Sequence, residues 1–301
     1  MTSQPDVPRG TLDAQTPLLQ AVTTAVTLKS GHYQLPRPAR PRVLCVANQK
    51  GGVGKTTSAV NLAAAMAYGG LQVLLIDLDP QGNASTAFSV PHHSGTAGTY
   101  EVVVDQTPIA DVVQQTEIAG LECVPATLDL AGAETELVSS VAREQRLRKA
   151  VTAYLEHRAA GGNPLDVVFI DCPPSLGLLT VNALTCAEQV LLPIQCEFYA
   201  LEGVSQLLRI VELVGKELNP GLAVGHILLT MFDARTRLSQ QVAEDVRTHF
   251  GSQVLAEVVP RSVRVSEAPS FGQTVIDYDP ASSGSRAYLE AARELATRLA
   301  G

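Results

Sequence analysis

The chain reads Lys50-Gly51-Gly52-Val53-Gly54-Lys55-Thr56-Thr57, a glycine-rich stretch with two lysines that decides the fold. A phosphate-binding loop has the pattern G-x-x-x-x-G-K-[ST]. Gly54-Lys55-Thr56 matches the end of this pattern, although Gln49 stands where its first glycine belongs. Gly51-Gly52 keeps the backbone flexible, and Lys50 adds a cation at the entrance of the loop. One lysine is enough to hold a nucleotide, so the second lysine needs another role.

The segments on either side of this stretch fit a phosphate site. Residues 42–48 form a short apolar run rich in β-branched side chains, which is typical of a buried parallel strand. Residues 57–68 are rich in alanine, and Gly69-Gly70 can end a helix there. A strand, a glycine-rich turn and a helix in this order point backbone N–H groups and the helix dipole at a phosphate. A plain glycine-rich turn, the alternative, explains neither Gly-Lys-Thr nor the two flanks.

Apolar strands alternate with helical patterns from residue 42 onward. The predicted strands are 43–47, 72–77, 120–124, 166–171, 189–194, 224–230 and 254–259. The predicted helices are 56–68, 108–115, 143–158, 176–187, 200–218, 238–250 and 285–299. This alternation predicts an α/β fold over residues 42–301, with a mostly parallel, twisted sheet and helices on both faces.

The N-terminal segment has a different composition. Residues 1–41 contain six of the 18 prolines and few large apolar side chains, which predicts a mostly disordered extension. Within it, residues 17–26 could form a short amphipathic helix, either transient or docked on a partner or subunit. The first ten residues are polar and do not resemble a secretory signal.

Composition excludes several functions. No apolar run approaches the roughly 18–20 residues that span a bilayer, so a cytoplasmic protein is expected. The five cysteines form no C-x-x-C pair and are interpreted as buried free thiols, and the six histidines show no metal-binding spacing. The net charge of −8 by itself argues against a nucleic-acid partner, but it does not exclude a local basic surface.

Three residues are predicted to complete a magnesium–nucleotide site with Lys55, which would bridge the β- and γ-phosphates. Thr56 would offer its hydroxyl to Mg²⁺. Asp171 would add a carboxylate, because it ends an apolar strand at the edge where α/β sheets bind ligands. A helix-capping role before Pro173-Pro174 is the alternative for Asp171. Asp79, just past another apolar strand, would orient or deprotonate the attacking water, while Asp77 would support Mg²⁺ or the loop.

Four further stretches carry a family resemblance. They are Asp77-Leu78-Asp79-Pro80-Gln81-Gly82-Asn83, Asp171-Cys172-Pro173-Pro174-Ser175-Leu176-Gly177, residues 229–236 (LTMFDART) and residues 260–270 (PRSVRVSEAPS). Together with the two-lysine loop, they resemble the ParA family of partition ATPases, within the deviant Walker A group that includes MinD, over most of 42–300. The last two stretches resemble the chromosomal, Soj-like branch. The proline-rich extension resembles actinobacterial members.

The resemblance implies a role for Lys50. It implies a single P-loop NTPase domain, in which two subunits bind ATP face to face and this lysine reaches the partner's nucleotide. A cation near the β/γ bridge neutralises charge that grows in the transition state, as an arginine finger does. Lys50, Asp79 and Lys55 are therefore the catalytic candidates. The expected nucleotide contacts are Lys50, Gly51, Gly52, Val53, Gly54, Lys55, Thr56, Thr57, Pro260 and Ser262. The family more often has asparagine at position 262.

The resemblance also implies a DNA surface at Arg235 and Arg264. Residues 235–264 hold five arginines and three acidic residues, a local charge of +2 that a dimer doubles. Phosphate contacts of this kind give affinity without reading sequence. Surface arginines that merely solvate a helix face are the alternative. Ala281 and Ser283 stand where relatives often carry a basic residue.

These features predict an ATP-dependent, dimerising ATPase that binds double-stranded DNA non-specifically and partitions chromosomes or plasmids with a ParB-type centromere-binding protein. ATP and Mg²⁺ are the expected cofactors. Hydrolysis is expected to be slow and stimulated by DNA and the partner, and the protein to be nucleoid-associated. A MinD-like membrane ATPase is the main alternative, although the C-terminus RELATRLAG has no Lys, Phe or Trp. An iron–sulfur carrier would need paired cysteines, and a pure ATP switch would scarcely hydrolyse.

Overall fold

The computed structural model describes residues 33–198 and 202–301, and these contain one sheet of eight strands. The strands are β1 (Arg42–Val46), β2 (Val73–Asp77), β3 (Gln114–Gln115), β4 (Leu121–Val124), β5 (Val167–Asp171), β6 (Gln189–Gln195), β7 (Ala223–Phe232) and β8 (Val254–Pro260). Their order is β3-β4-β2-β5-β1-β6-β7-β8, and every pair is parallel except β3 with β4. This confirms the predicted α/β fold.

Helices connect the parallel strands. The longer ones are Lys55–Tyr68, Leu130–Leu137, Arg146–Ala160, Leu178–Cys186, Glu202–Glu217, Arg237–Phe250 and Ser283–Ala300. The shorter ones are Asn83–Ala87, Thr99–Val103, Ile109–Val112, Val263–Glu267 and Val275–Tyr278. Among the residues that the structure describes, no helix is both long and apolar enough to cross a bilayer.

The sheet is buried on both faces. All residues of β2 and β5 are buried, which explains why these strands read as continuous apolar runs and not as alternating patterns. Successive side chains of β1 point to opposite faces, so Val43 and Cys45 enter one hydrophobic cluster, while Leu44 and Val46 enter the other. The Lys55–Tyr68 and Ser283–Ala300 helices cover the second face and pack against each other.

Strand order brings the predicted site residues together. β1 lies between β5 and β6, and β2 pairs with the other side of β5. Val46 is in register with Asp171, and Asp171 is in register with Asp77. The loops that follow β1, β2 and β5 therefore leave the same edge of the sheet, where open α/β folds bind ligands.

All seven predicted strands are confirmed, with small differences at their ends. The predicted helix 108–115 is shorter, because Gln114 and Gln115 pair with β4 in an antiparallel ladder. The other four short helices and Leu130–Leu137 were not predicted, because segments this brief carry little periodic signal.

Part of the N-terminal extension packs on the domain. Tyr33 and Leu35 are buried, and the Tyr33 hydroxyl donates to the carbonyl oxygen of Leu289 at 2.7 Å. Arg37 pairs with Asp166 at 3.5 Å. Residues before position 42 therefore pack on the domain. The predicted boundary between the extension and the domain, at residues 41 and 42, stays a prediction. The predicted helix 17–26 lies outside the described residues.

Candidate nucleotide site

The two-lysine loop is anchored at its start by Asn48. The Asn48 side chain donates from Nδ2 to the carbonyl oxygen of Pro193 at 2.8 Å, and its Oδ1 accepts from the backbone N–H of Lys50 at 3.0 Å. Pro193 lies in β6, so the loop begins at a fixed place beside the neighbouring strand. This role of Asn48 is not visible in the sequence, because its partner is distant in the chain.

The glycines of the loop allow its sharp reversal. Gly52 and Gly54 have φ angles of +73° and +87°, in the left-handed region that side chains disfavour. The Lys55–Tyr68 helix follows directly, and Gly54 at its N-cap provides no side-chain acceptor. The first N–H groups of the helix therefore point toward the loop without a capping side chain, an arrangement that favours an anion.

Lys55 is buried and lies at the centre of the site. Its Nζ donates to the carbonyl oxygen of Lys50 at 3.3 Å, which draws the loop around the ammonium group. Burial lowers the pKa of Lys55, and the nearby charges of Asp171, Cys172 and Asp79 partly oppose that shift. A phosphate in the loop would favour the charged ammonium further.

Asp171 is fully buried at the end of β5, and neither of its carboxylate oxygens has a hydrogen bond of normal geometry within the described structure. Burial and then the charge of Asp77 raise the pKa of Asp171 well above its usual value; Thr56 and Lys55 are near enough to lower it. An unpartnered buried carboxylate is costly unless a cation or donor satisfies it.

Asp171 and Thr56 offer the oxygen ligands that a magnesium ion prefers. Mg²⁺ in nucleotide sites is typically held by one or two carboxylates together with phosphates and water. The described ranges contain no cluster of three or more His, Cys, Asp or Glu that could hold a metal alone. Asp171 and the Thr56 hydroxyl are therefore suited to share the ion with a nucleotide, and Asp171 is not committed to the alternative role of helix cap.

The two acids after β2 have different surroundings. Asp77 accepts from the backbone N–H of Ser85 at 2.9 Å and from its hydroxyl at 2.7 Å, and it also accepts from the backbone N–H of Asp79. Burial raises the pKa of Asp77 to about 6, although these hydrogen bonds oppose the shift. Asp77 thus supports the loop. Among the described residues, the Asp79 carboxylate accepts a single hydrogen bond, from the Gln81 backbone N–H at 3.0 Å.

A residue that the sequence analysis missed holds the loop after Asp171. Glu134, on the Leu130–Leu137 helix, accepts from the backbone N–H of Leu179 at 3.3 Å. A Cβ at Gly177 would lie only 2.1 Å from the same carboxylate, so the loop passes directly over it. Glu134 therefore holds the start of the Leu178–Cys186 helix, and with it the loop 172–177, against the Leu130–Leu137 helix.

We expect Glu134→Ala to slow ATP turnover by about tenfold while ATP affinity changes little, because the loop is loosened but every phosphate contact remains. Steady-state hydrolysis and equilibrium nucleotide binding would separate the two effects. Glu136→Ala on the same helix is the control, since that carboxylate contacts the exposed Tyr100 hydroxyl and not the loop. Equal losses in both variants would contradict the positioning role.

A cavity of about 160 Å³ adjoins the phosphate-binding loop. Its lining includes Gly54 and Thr57 on one side and Pro260, Ser262 and Tyr288 on the other. Pro260 and Ser262, predicted to contact the base, are thus brought beside the loop despite their distance in sequence. Their role in holding the base stays a prediction.

Lys50 differs from Lys55 in its surroundings. Its side chain is only half-buried, and within the part of the chain described here its ammonium group makes no ion pair or hydrogen bond. The contact between the two lysines uses the backbone oxygen of Lys50, not its side chain. The Lys50 ammonium is therefore not committed to any group among the described residues.

The two arginines predicted to bind DNA are both exposed and both paired with acids. Arg235 donates to both carboxylate oxygens of Asp233, at 2.9 and 2.8 Å, and lowers the pKa of Asp233 to about 2. Arg264 lies 3.1 Å from Glu267 and 3.4 Å from Asp279. Exposed pairs of this kind are weak, so a DNA phosphate could replace the carboxylates.

The chain matches a known family model and is similar to known proteins over most of its length. A family model described as an AAA domain matches residues 41–224. The chromosome partitioning protein ParA of Caulobacter vibrioides is 52% identical over 257 residues, which cover 85% of this chain and 94% of that protein. The sporulation initiation inhibitor protein Soj of Bacillus subtilis is 49% identical over 255 residues, covering 85% and 98%.

A solved structure adds a bound nucleotide to the comparison. The cobyrinic acid a,c-diamide synthase of Mycobacterium smegmatis, with bound ADP and magnesium, is 37% identical with a TM-score of 0.72. The match covers 85% of this chain and 94% of that one.

Proposed function

Because the chain belongs to the ParA/Soj family of chromosome partitioning proteins, we propose that it is an ATPase whose ATP-bound dimer holds non-specific double-stranded DNA and works with a ParB-type centromere-binding protein. The chromosome partitioning protein of Caulobacter vibrioides matches at 52% identity, against 37% for the synthase, so partitioning is the function carried over. Association with the nucleoid follows from DNA binding.

One observation carries the proposal: the loop holds two lysines with different exposure. Lys55 is buried against its own loop, whereas the Lys50 ammonium is half-exposed and has no ion-pair partner among the described residues. A nucleotide bound at Lys55 would leave Lys50 directed at a second subunit's phosphates. ATP would then join the two subunits, and its hydrolysis would release them.

The residues of the site have separate tasks in this proposal. Lys55 and the N–H groups of the loop bind the β- and γ-phosphates, and Asp79 orients the attacking water. Thr56 and Asp171 would hold magnesium, which neutralises phosphate charge when bound. Lys50 of the second subunit stabilises charge that develops between the β- and γ-phosphates. Pro260 and Ser262 contact the base.

The membrane alternative is less well supported. A detachable amphipathic helix would need a free apolar face. The Ser283–Ala300 helix instead buries Tyr288, Leu289, Leu295 and Leu299 in the core of the domain. Release of this helix would expose that core, so we propose that the protein acts without a membrane.

The direct test of the proposed function is retention of the protein on random-sequence duplex DNA with ATP, with ADP and without nucleotide. We expect retention with ATP alone. Addition of a ParB-type protein together with DNA should raise ATP turnover. Equal retention in all three nucleotide states would contradict the proposal.

We expect Arg235→Glu and Arg264→Glu each to weaken ATP-dependent DNA retention at least tenfold, because each replaces a phosphate contact by a repulsive charge. The loss of affinity should be the same for all DNA sequences. The slope of log affinity against log salt concentration should fall by about one for each arginine removed. Lys216→Glu is the matched control, since that lysine is 67% exposed on another helix. If both arginine variants bind DNA as well as Lys216→Glu does, the assignment of this surface to DNA is wrong.

A further inference from the structure

A second cavity, of about 390 Å³, shares none of its lining with the nucleotide site. It lies between the short helix Thr99–Val103, the segment 106–110 and the Arg146–Ala160 helix. Its volume is within the range of pockets that bind small organic molecules, roughly 300–1,000 Å³. No step of the proposed ATPase mechanism uses this cavity.

The floor of the cavity is apolar and partly aromatic. Val102, Ile109 and Tyr154 line it and are each at least nine-tenths buried. The Tyr154 hydroxyl donates to Glu122 at 2.8 Å, which fixes the ring. The His157 ring stacks on Tyr154 with centroids 6.2 Å apart and planes 18° apart. A planar apolar group could lie against these surfaces.

The rim of the cavity is cationic. Arg146 and Lys149 lie one turn apart on the same helix, and the lining contains no Asp or Glu. Arg146 is held in place by a hydrogen bond to the carbonyl oxygen of Val104 at 3.3 Å. Lys149 is exposed and pairs with no residue of the described ranges. In a chain of net charge −8, this acid-free pair of cations favours an anion.

The backbone on the facing side is held in an uncommon conformation. Gln106 lines the cavity with a φ of +60°, in the left-handed region that non-glycine residues seldom adopt. The turn is held by the N–H groups of Asp105 and Thr107, which both donate to the carbonyl oxygen of Glu101. Strain of this kind persists where the surroundings impose it, and it is frequent at binding sites.

From these observations we propose that the cavity binds a small organic anion with a planar apolar body, its charge between Arg146 and Lys149 and its body against Tyr154. The same short helix links the cavity to the nucleotide site. Val102 lies in the cavity, while Thr99 at the start of the helix donates to the carbonyl oxygen of Asp77 at 2.7 Å. A bound anion would therefore contact an element that also supports the loop of Asp79.

The test is calorimetric titration of the full-length protein with 2-naphthoate, and with uncharged 2-naphthylmethanol as the comparison ligand. We expect naphthoate to bind and the alcohol to bind at least tenfold more weakly. Lys149→Glu should weaken naphthoate binding about tenfold by reversing a charge at an exposed position. Ala153→Phe should also weaken it, by filling the cavity, whereas the distant Lys216→Glu should leave it unchanged.

Three results would overturn the proposal. They are no naphthoate binding at millimolar concentration, binding unaffected by both cavity variants, and equal binding of the uncharged alcohol. The last result would indicate an apolar pocket and not an anion site. ATP-dependent DNA retention should be unchanged in all three variants, so failure here is distinct from failure of the proposed function.

Discussion

Lys50→Ala is expected to lower ATP turnover in the presence of DNA by about 10³-fold, the range seen for loss of an arginine finger, while ATP affinity changes only a few-fold. The side chain of Lys50 is half-exposed, and its removal breaks no hydrogen bond or ion pair within the described structure. The backbone oxygen that accepts from Lys55 remains in alanine. The variant should therefore fold and bind ATP but form no ATP-dependent dimer, as measured by nucleotide titration and size-exclusion chromatography.

Lys55→Ala is the matched control, because it removes the buried lysine of the same loop and should abolish ATP binding itself. A mixing experiment tests which subunit each residue serves. If Lys50 acts on the partner's nucleotide and Asp79 on its own, a mixture of Lys50→Ala and Asp79→Ala proteins regains part of the wild-type turnover. Loss of ATP binding in Lys50→Ala, or a mixture as inactive as its components, would show that Lys50 acts within its own subunit.

Asp171→Asn is expected to abolish Mg²⁺-dependent turnover and, in the nucleotide-free protein, to raise stability by about 1–3 kcal/mol, because an uncharged amide replaces a buried carboxylate whose charge is costly to desolvate. Neither Asp171 oxygen has a hydrogen bond of normal geometry among the described residues, and burial, together with the charges of Asp77 and Asp79, raises the pKa of Asp171. The substitution removes one of the negative charges that favour the Lys55 ammonium, but the charge of Asp79 remains. Thermal unfolding with and without Mg·ATP measures both effects.

Asp166→Asn is the control for this prediction. Asp166 is also buried, immediately before the other end of the same strand, but it accepts from the Gln72 backbone N–H at 2.7 Å and pairs with Arg37. Its neutralisation should destabilise the protein. If Asp171→Asn destabilises the nucleotide-free protein as much as Asp166→Asn does, Asp171 is a structural residue and not a vacant metal ligand.

The pH dependence of stability provides a second measure. Because the pKa values of Asp77 and Asp171 are raised in the folded state, their contribution to stability is complete below the ordinary value of 3.8 and is lost as pH rises. For Asp77 the loss falls between pH 3.8 and about 6. The nucleotide-free protein should therefore lose stability over this interval and above it, and Asp171→Asn should show a shallower loss.

Local patterns in the sequence predicted most of the architecture. The strands of the sheet appear as short apolar runs, because a parallel sheet covered on both faces needs apolar side chains at nearly every position. The glycine-rich loop is legible for a similar reason, since its chemistry is contained in adjacent residues. The short antiparallel strand was missed because it depends on its pairing partner. Four of the short helices were missed because segments this brief carry little periodic signal.

By itself the sequence determined a nucleotide-binding α/β domain with a surplus lysine, and it nominated Asp79, Asp171, Arg235 and Arg264. Only the tertiary structure decided the state of these groups. It left Asp171 without a hydrogen-bond partner among the described residues, paired both arginines with acids, directed Glu134 at the loop 172–177 and formed a cationic cavity separate from the nucleotide site. Each of these outcomes depends on the burial and distance of side chains brought together by the packing of the whole domain, and no local pattern encodes that.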